Sequence, residues 1–313
     1  MFYELPTDFE ERLQTKFTSA VNDKHIEFNV EQASNSLDTK KLGNTTVEFQ
    51  LTLLESLTQR PEKGTKEENP FAKPEPELTV IEDFGADNDL RIVFNKFPVV
   101  PMHFMVITKE FKSQNSPLST SELAATYSVL HKLKDSNKKW FAFYNCGPES
   151  GASQPHKHIQ FMSLPSGFSP YAQGIALGSS PFIPNVKEEP LQNADLGFAH
   201  FVARLPDYAS GLEEEDLTMY FASLLQRTLT VLRENDSSHI SYNFILTTEY
   251  MMLVPRSSGK FQDLGINSCG FMGLVLCKNE QLLNMVQDTG PEVILQLCAF
   301  PTTAGLGSDE YHY

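Results

Sequence analysis

Cysteine is scarce in this chain: Cys146, Cys269, Cys277 and Cys298 form no C-x-x-C pair and no dense framework. They read as reduced thiols of an intracellular protein. Long apolar runs are missing as well. No stretch approaches the roughly 20 consecutive apolar residues of a membrane span. The opening MFYELPTDFEERL is acidic and lacks the basic-then-apolar order of a signal peptide. A cytoplasmic protein is expected, with nuclear entry left open. Positive charge is also in short supply, with 25 Lys and Arg against 40 Asp and Glu and a net charge of −15. Non-specific binding to nucleic acid or to an anionic membrane is thereby disfavoured. A polyanionic ligand would need the few cations gathered in one site. Neither G-x-x-x-x-G-K-[ST] nor a strand-associated G-x-G-x-x-G occurs, which argues against standard P-loop and dinucleotide-binding sites. What remains, 40% hydrophobic and 21% charged over 313 residues, is globular and long enough to bury a sizeable core without metal or disulfide staples. The length suits two domains or one large α/β unit.

Residues 7–23 carry Phe9, Leu13, Phe17 and Val21 at helical spacing behind a Thr7 or Asp8 N-cap. TTVEFQLTL (45–53) alternates as a strand does, and the Pro-, Lys- and Glu-rich segment 59–78 reads as an exposed linker. Next come strand-like LTVIED, LRIVFNKFPVV and HFMVITKEF. Ser119 or Thr120 then opens a helix with Leu123, Tyr127, Leu130 and Leu133 on one face. Strand WFAFYNC, turn PESGASQ and strand PHKHIQFMSLP follow. A similar order recurs as FAHFVARLP, the acidic turn GLEEED, the long helix LTMYFASLLQRTLTVLREN and the hairpin SYNFILTT/YMMLVPRS. GFMGLVLCK is expected as one more strand, QLLNMVQD and PEVILQLCAF as helices, and GLGSDEYHY as a tail. The order strand, helix, strand, strand thus repeats, with the two halves meeting near residue 175.

The chemistry is concentrated in YNCGPESGASQPHKHIQF, residues 144–161. If PHKHIQF is a strand, its period of two sets His156, His158 and Gln160 on one face and turns Lys157 and Ile159 away. Successive members then stand about 6.8 Å apart, so one phosphate group can touch two of them. A neutral imidazole is a competent nucleophile towards phosphorus, and a glutamine amide can donate to a phosphoryl oxygen. The turn GPESGASQ can aim several backbone N–H groups at one anion. Phosphoryl or nucleotidyl transfer through a phosphohistidine fits this set. An H-x-H pair on a strand is equally compatible with a metal site, and a Ser/Gly-rich turn with nothing more than a turn.

H-K-H-I-Q resembles the H-x-H-x-Q form of the histidine triad superfamily, in its galactose-1-phosphate uridylyltransferase branch. The wider context is similar to the fungal diadenosine tetraphosphate phosphorylases. That similarity is carried by NPFAKP, NKFPVVPMH (95–103), YNCGPESGASQPHKHIQ (144–160), EPLQNADLGFAHFV (189–202), SYNFILT (241–247), VPRS (254–257), INSCGFMGLVLCK (266–278) and EYHY (310–313). It runs from the N-terminal helix to the last residue.

The resemblance implies an α+β fold of two pseudo-repeated histidine-triad-type halves, with a mostly antiparallel sheet and flanking helices. Residues 1–58 would pack a helix and strand on the core, 59–175 would form the active half, and 176–313 the degenerate half with C-terminal helices. The implied activity is phosphorolysis of diadenosine tetraphosphate to ATP and ADP through a histidine–AMP intermediate, with sulfate as an alternative acceptor. His158 matches the nucleophile, Gln160 the glutamine on the phosphoryl oxygens, and His156 the neighbour whose carbonyl fixes the nucleophile's tautomer. Nucleotide and phosphate contacts are implied at Asn145, Gly151, Ala152, Ser153 and Gln154. They are implied also at Asn95 and Lys96, at Asn267, Ser268 and Cys269, at Leu274 and Lys278, and at Arg60, whose surroundings match least. On the residues alone, Asn95 and Asn267 also suit turns and Cys269 a core position; His103, in P-x-H before a strand, resembles a feature of the histidine triad superfamily and also suits the closing of a turn. His200 suits the core, while His25, His131, His239 and His312 suit the surface. The uridylyltransferase branch can hold a structural metal partly by a C-x-x-C pair, which is lacking here, so no structural zinc is expected. A weakly held magnesium, manganese or similar ion accompanying the polyphosphate is expected. Partners are expected to be small molecules (diadenosine tetraphosphate, phosphate, ATP, ADP, AMP), with no nucleic acid, no membrane and a monomeric chain. The alternatives are a hexose-1-phosphate uridylyltransferase, a silent nucleotide-binding module, or a structural protein held by stoichiometric zinc.

Overall fold

The computed structural model describes residues 2–27, 33–55, 69–178 and 189–306. Residues 59–68 of the segment read as a linker, the boundary expected at 58/59, and the closing residues 307–313 with His312 lie outside them. The chain begins with α1 (Phe9–Asn22), β1 (Ala33–Leu42), β2 (Thr45–Leu54), β3 (Thr79–Phe84), β4 (Leu90–Phe94) and β5 (Phe104–Thr108). It continues with α2 (Thr120–Lys132), β6 (Trp140–Cys146), β7 (His158–Ser163), α3 (Tyr171–Leu177), β8 (Phe201–Arg204) and α4 (Glu214–Glu234). Last come β9 (Tyr242–Leu246), β10 (Tyr250–Pro255), the short pair β11 (Lys260–Phe261) and β12 (Leu264–Gly265), α5 (Ser268–Phe271), β13 (Leu274–Cys277), α6 (Glu280–Thr289) and α7 (Pro291–Leu297).

Eight strands form one sheet in the order β3-β4-β5-β7-β6-β9-β10-β8, antiparallel at every step. The recurring order expected from the sequence is therefore real. β5-α2-β6-β7 and β8-α4-β9-β10 are two copies of one unit, joined edge to edge where Phe143 faces Ile245. One face of the sheet is closed by α1, α2 and α4 over Phe104, Ile159, Phe161, Phe244 and Leu253. The opposite face carries Phe141, Phe143, Met162, Ile245 and Met252 under a second sheet, β1-β2-β13, with α5, α6 and α7. Burial on both faces is why WFAFYNC reads as a continuous apolar run.

Helix starts follow the capping chemistry of the sequence. Ser119 and Glu122 close a reciprocal capping box on α2, and Glu213 and Asp216 do so on α4, which explains the acidic GLEEED turn. On α1, Asp8 does not cap but pairs with Arg12 at 3.2 Å. One element departs from expectation. GFMGLVLCK is not a single strand: Ser268–Phe271 makes a helical turn, and Gly273, at φ +91°, ends it. A Cβ on Gly273 would stand 2.7 Å from the Glu48 carbonyl oxygen. Only Leu274–Cys277 is strand, running parallel to β2 in the second sheet.

Candidate active site

β7 begins at His158, and its alternation holds as expected: His158 and Gln160 share one face with Ile107 and Met105, the residues opposite them on β5. Lys157 points the other way, where its ammonium is buried between Glu122 Oε2 (2.9 Å) and the Pro117 carbonyl (2.8 Å). The His158 Nδ1 lies 2.8 Å from the His156 carbonyl oxygen. A carbonyl only accepts, so Nδ1 carries the proton and Nε2 keeps its lone pair. Nε2 makes no hydrogen bond among the described residues. Burial pushes the His158 imidazole down to about 4, with the His156 carbonyl opposing that shift. At neutral pH the ring is uncharged and able to attack.

His156 is itself held at both nitrogens. Asn69 Nδ2 donates to Nδ1 at 2.8 Å, and Nε2–H donates to the Thr108 carbonyl at 2.7 Å, with the Thr108 hydroxyl at 2.9 Å. Phe71 lies across the pair, its centroid 5.9 Å from the His156 ring and 5.0 Å from that of His158. Burial lowers the His156 pKa as well. With one nitrogen accepting and the other donating, neither is left for a metal ion.

The strand ladder opens where the nucleophile sits. β6 and β7 pair as far as Phe143 opposite Gln160; continued, the register would set Tyr144 against Ile159 and Asn145 against His158. There the Gln114 side chain is inserted. Its Oε1 accepts the His158 N–H at 2.8 Å, and its Nε2 donates to the Asn145 (2.8 Å) and His158 (3.3 Å) carbonyls. A buried carboxamide thus replaces the missing ladder bonds and satisfies the backbone on both sides.

Beyond it a buried network shapes the turn. Asn145 Oδ1 accepts from Asn243 Nδ2, the Ser268 N–H and the Ser268 hydroxyl. Arg256, fully buried, donates to the carbonyls of Cys298 (2.9 Å), Ile266 (2.9 Å), Ser258 (2.5 Å) and Ser150 (3.3 Å), and to Asn243 Oδ1. Burial pulls the Arg256 pKa down to about 10, so the charge is retained at pH 7. Gly151, at φ +79°, passes so close to Ile266 that a Cβ would lie 2.4 Å from its carbonyl oxygen. The N–H groups of Ala152, Ser153 and Gln154 that follow make no hydrogen bond among the described residues.

The structure therefore links His156, His158 and Asn145 through Gln114 and Asn243 to Gly151, Asn267 and Ser268 around one patch of the sheet, with Gln160 beside His158 on the same face and Ala152, Ser153 and Gln154 following Gly151 in the turn. Asn267 caps α5 through the Cys269 N–H (2.9 Å), and Cys269 is buried. The loop expected at 267–269 is thus a helix start. Asn95 accepts the Phe97 N–H at 2.9 Å as a turn former does. Lys96 is drawn to Glu75 at 2.9 Å, with His25 on the other carboxylate oxygen at 3.1 Å. Leu274 is a core residue of the second sheet and Lys278 is exposed just after it. Arg60 lies outside the described residues.

Two histidines differ from expectation. His103 does not merely close a turn: it is buried with Nε2 3.0 Å from Gln160 Oε1. His131 is not a free surface residue but is half-buried, its ring 3.9 Å from that of Tyr208. Asn69, Phe71, Thr108, Gln114, Asn243 and Arg256 were not singled out by sequence reasoning. Asn69, Phe71, Asn243 and Arg256 fall inside segments that carry the family resemblance, whereas nothing around Gln114 marks it.

Residues 10–177 match the family described as Ap4A phosphorylase N-terminal domain, and residues 194–301 match that described as ATP adenylyltransferase C-terminal domain. The chain is 38% identical to diadenosine 5',5'''-P1,P4-tetraphosphate phosphorylase 2 of Saccharomyces cerevisiae, over 98% of this chain and 99% of that protein. It is similar to the crystal structure of yeast Ap4A phosphorylase Apa2 in complex with Ap4A, with TM-score 0.84 and 35% identity over 97% of this chain and 100% of that one. The complex of the same yeast enzyme with AMP aligns with TM-score 0.85 and 35% identity over 98% and 100%.

Proposed function

The chain belongs to the Ap4A phosphorylase family, and on that premise we propose that it cleaves diadenosine tetraphosphate phosphorolytically, to ATP and ADP. The observation that carries the reading is the neutral His158 imidazole, its proton fixed on Nδ1 by the His156 carbonyl and its Nε2 lone pair engaged by no described residue. Nε2 attacks the α-phosphorus, the P–O bond to the leaving ATP breaks, and AMP remains on the histidine. The positive charge gained by the ring is stabilised through Nδ1–H on the His156 carbonyl. An oxygen of inorganic phosphate then attacks the same phosphorus, the P–N bond breaks, and its electron pair returns to Nε2 as ADP leaves. Gln160 donates to a non-bridging oxygen, and the free N–H groups of 152–154 receive the adjoining phosphates.

The remaining binding roles at Asn145, Asn95, Lys96, Asn267, Ser268, Cys269, Leu274, Lys278 and Arg60 belong to this proposal. A divalent ion carried by the polyphosphate would offset its charge against a protein of net charge −15. The reading places no zinc on the H-x-H pair, because both nitrogens of His156 are already engaged. The same reading takes the enzyme as a cytoplasmic monomer acting on small molecules. It is supported by the acidic balance, and no described helix is long and apolar enough to cross a membrane.

The test is product analysis with diadenosine tetraphosphate, with and without phosphate, beside His158→Ala. ATP and ADP in equal amounts, dependent on phosphate and on His158, are expected. ATP and AMP formed without phosphate would mean that water is the acceptor and would refute phosphorolysis.

A further inference from the structure

We propose that His103 is the positioning residue that aims the carboxamide of Gln160 at the reacting phosphate, a role that rests on the reading of Gln160 given above. The strand ladder makes the two meet. Met105 lies directly opposite Gln160 and the Asn95 N–H binds the His103 carbonyl at 3.0 Å, so His103 stands diagonally across from Gln160 on the same face. Its ring is 3% exposed, with Phe143 at 6.4 Å between centroids. Nε2 lies 3.0 Å from Gln160 Oε1. A carboxamide oxygen offers only lone pairs, so Nε2 holds the proton and donates. That bond ties Oε1 to the protein and leaves the NH2 end, which makes no hydrogen bond among the described residues, facing the patch beside His158.

The end that faces out decides the chemistry. The terminal torsion of a glutamine is broad and roughly two-fold, so an amide without a partner samples both orientations. The wrong one sets an oxygen lone pair against a phosphoryl oxygen, replacing attraction by repulsion. His103 breaks the tie before substrate arrives, so the ordering cost is not charged to the transition state.

The other half of the sheet supplies an independent comparison. His200 stands directly before β8 as His103 stands before β5. The residue on β10 that corresponds to Gln160 is Met252, which has no amide to aim. There the imidazole is closed on the backbone: Nδ1–H donates to the Phe198 carbonyl at 2.8 Å and Nε2 accepts the Asn193 N–H at 2.9 Å. The same histidine thus bonds to the main chain where the facing residue is apolar, and to the side chain where it is glutamine.

Three substitutions of His103, with Gln160→Met as background, separate aiming from mere packing. The side-chain NH2 of glutamine reaches the place of Nε2, whereas that of asparagine reaches only the place of Nδ1. His103→Phe is expected to lower kcat about tenfold with KM little changed, the loss of one well-placed donor. His103→Gln is expected to recover to within about threefold of the parent, and His103→Asn is not. In a Gln160→Met background, His103→Phe should cost nothing further. Melting temperatures of all variants show which of them fold. Equal losses for the Gln and Asn variants, or an undiminished loss in the Gln160→Met background, would overturn the positioning role alone. Full activity in Gln160→Met would instead overturn the reading of Gln160 and His103 with it.

Discussion

Laid over one another, the ladder of β5 with β7 and the ladder of β8 with β10 set Phe104 on Phe201 and Phe161 on Leu253. The same overlay sets Gln160 on Met252 and His158 on Tyr250. The covered face is apolar in both copies. The other face has diverged: Tyr250 sends its hydroxyl to Met272 Sδ at 3.6 Å, and Met252 is fully buried beneath the second sheet. In the first copy Phe71 covers that place instead, 5.0 Å from the His158 ring, with Gln114 bonded to the His158 backbone. The difference teaches that the sheet tolerates either chemistry. A competent nucleophile needs in addition a carbonyl to fix one ring nitrogen and an unbonded lone pair at the other. His200 is equally buried and its Nδ1 is equally fixed, yet its Nε2 is capped by a backbone N–H.

The comparison breaks most sharply on the nucleophile. His158→Ala should reduce turnover roughly 10⁴-fold or more, measured as ATP release. Tyr250→Phe, at the corresponding place, should leave turnover within about twofold and stability within about 1 kcal/mol, since only a weak O–H to sulfur contact is lost. An active His158→Ala would dissolve the assignment of roles to the halves. The next largest effect concerns protons. Burial holds both His158 and His200 down to about 4 from 6.5. The unfolded chain takes up protons near pH 6.5 and the folded chain only near 4. Stability is therefore full above pH 6.5 and is lost as the pH falls towards 4, by roughly 3 kcal/mol for each ring. Denaturant titration across that range should show His158→Ala and His200→Gln flattening the acid limb alike, although only the first abolishes turnover. For the parent enzyme, kcat/KM should fall on the acid side near pH 4, not 6.5, as far as His158 governs it. A third effect, on glycine, is of similar or smaller size. Gly151→Ala meets both a positive φ and the Ile266 carbonyl, and should cost about 2–4 kcal/mol and raise KM. Gly211→Ala, at φ +92° in the second half with nothing within 4 Å, should cost only about 1 kcal/mol by thermal melts.

Much of this was legible in the sequence, for physical reasons. Period-two alternation placed His158 and Gln160 on one face and Lys157 on the other. Capping residues located α2. The repeated order of elements announced the paired halves. The single-strand reading of 270–278 failed because Gly273 offers no side chain whose periodicity could signal a bend. The partner of His103 was not legible in P-M-H-F, because the amide that it meets lies on a strand more than fifty residues away. Gln114 sits in a polar turn, where nothing local foretells insertion between two strands. Arg256 is followed by two serines and reads as a solvated strand end, since its partners are backbone carbonyls, which no side-chain pattern reveals.

The joint between β6 and β9 has a consequence for how the two halves stand to each other. Every residue of β6 from Trp140 to Cys146 is buried; Ala142 to Cys146 pair with β9, and the last three of them have no ladder partner on β7. Cut between the halves, the first copy would present that seven-residue strand as a naked, apolar edge. Phe143 and Ile245, which pair across the seam, are each other's counterparts in the two halves, so an approximate two-fold axis passes between them, the relation that two copies of one half adopt when they cover each other's edge.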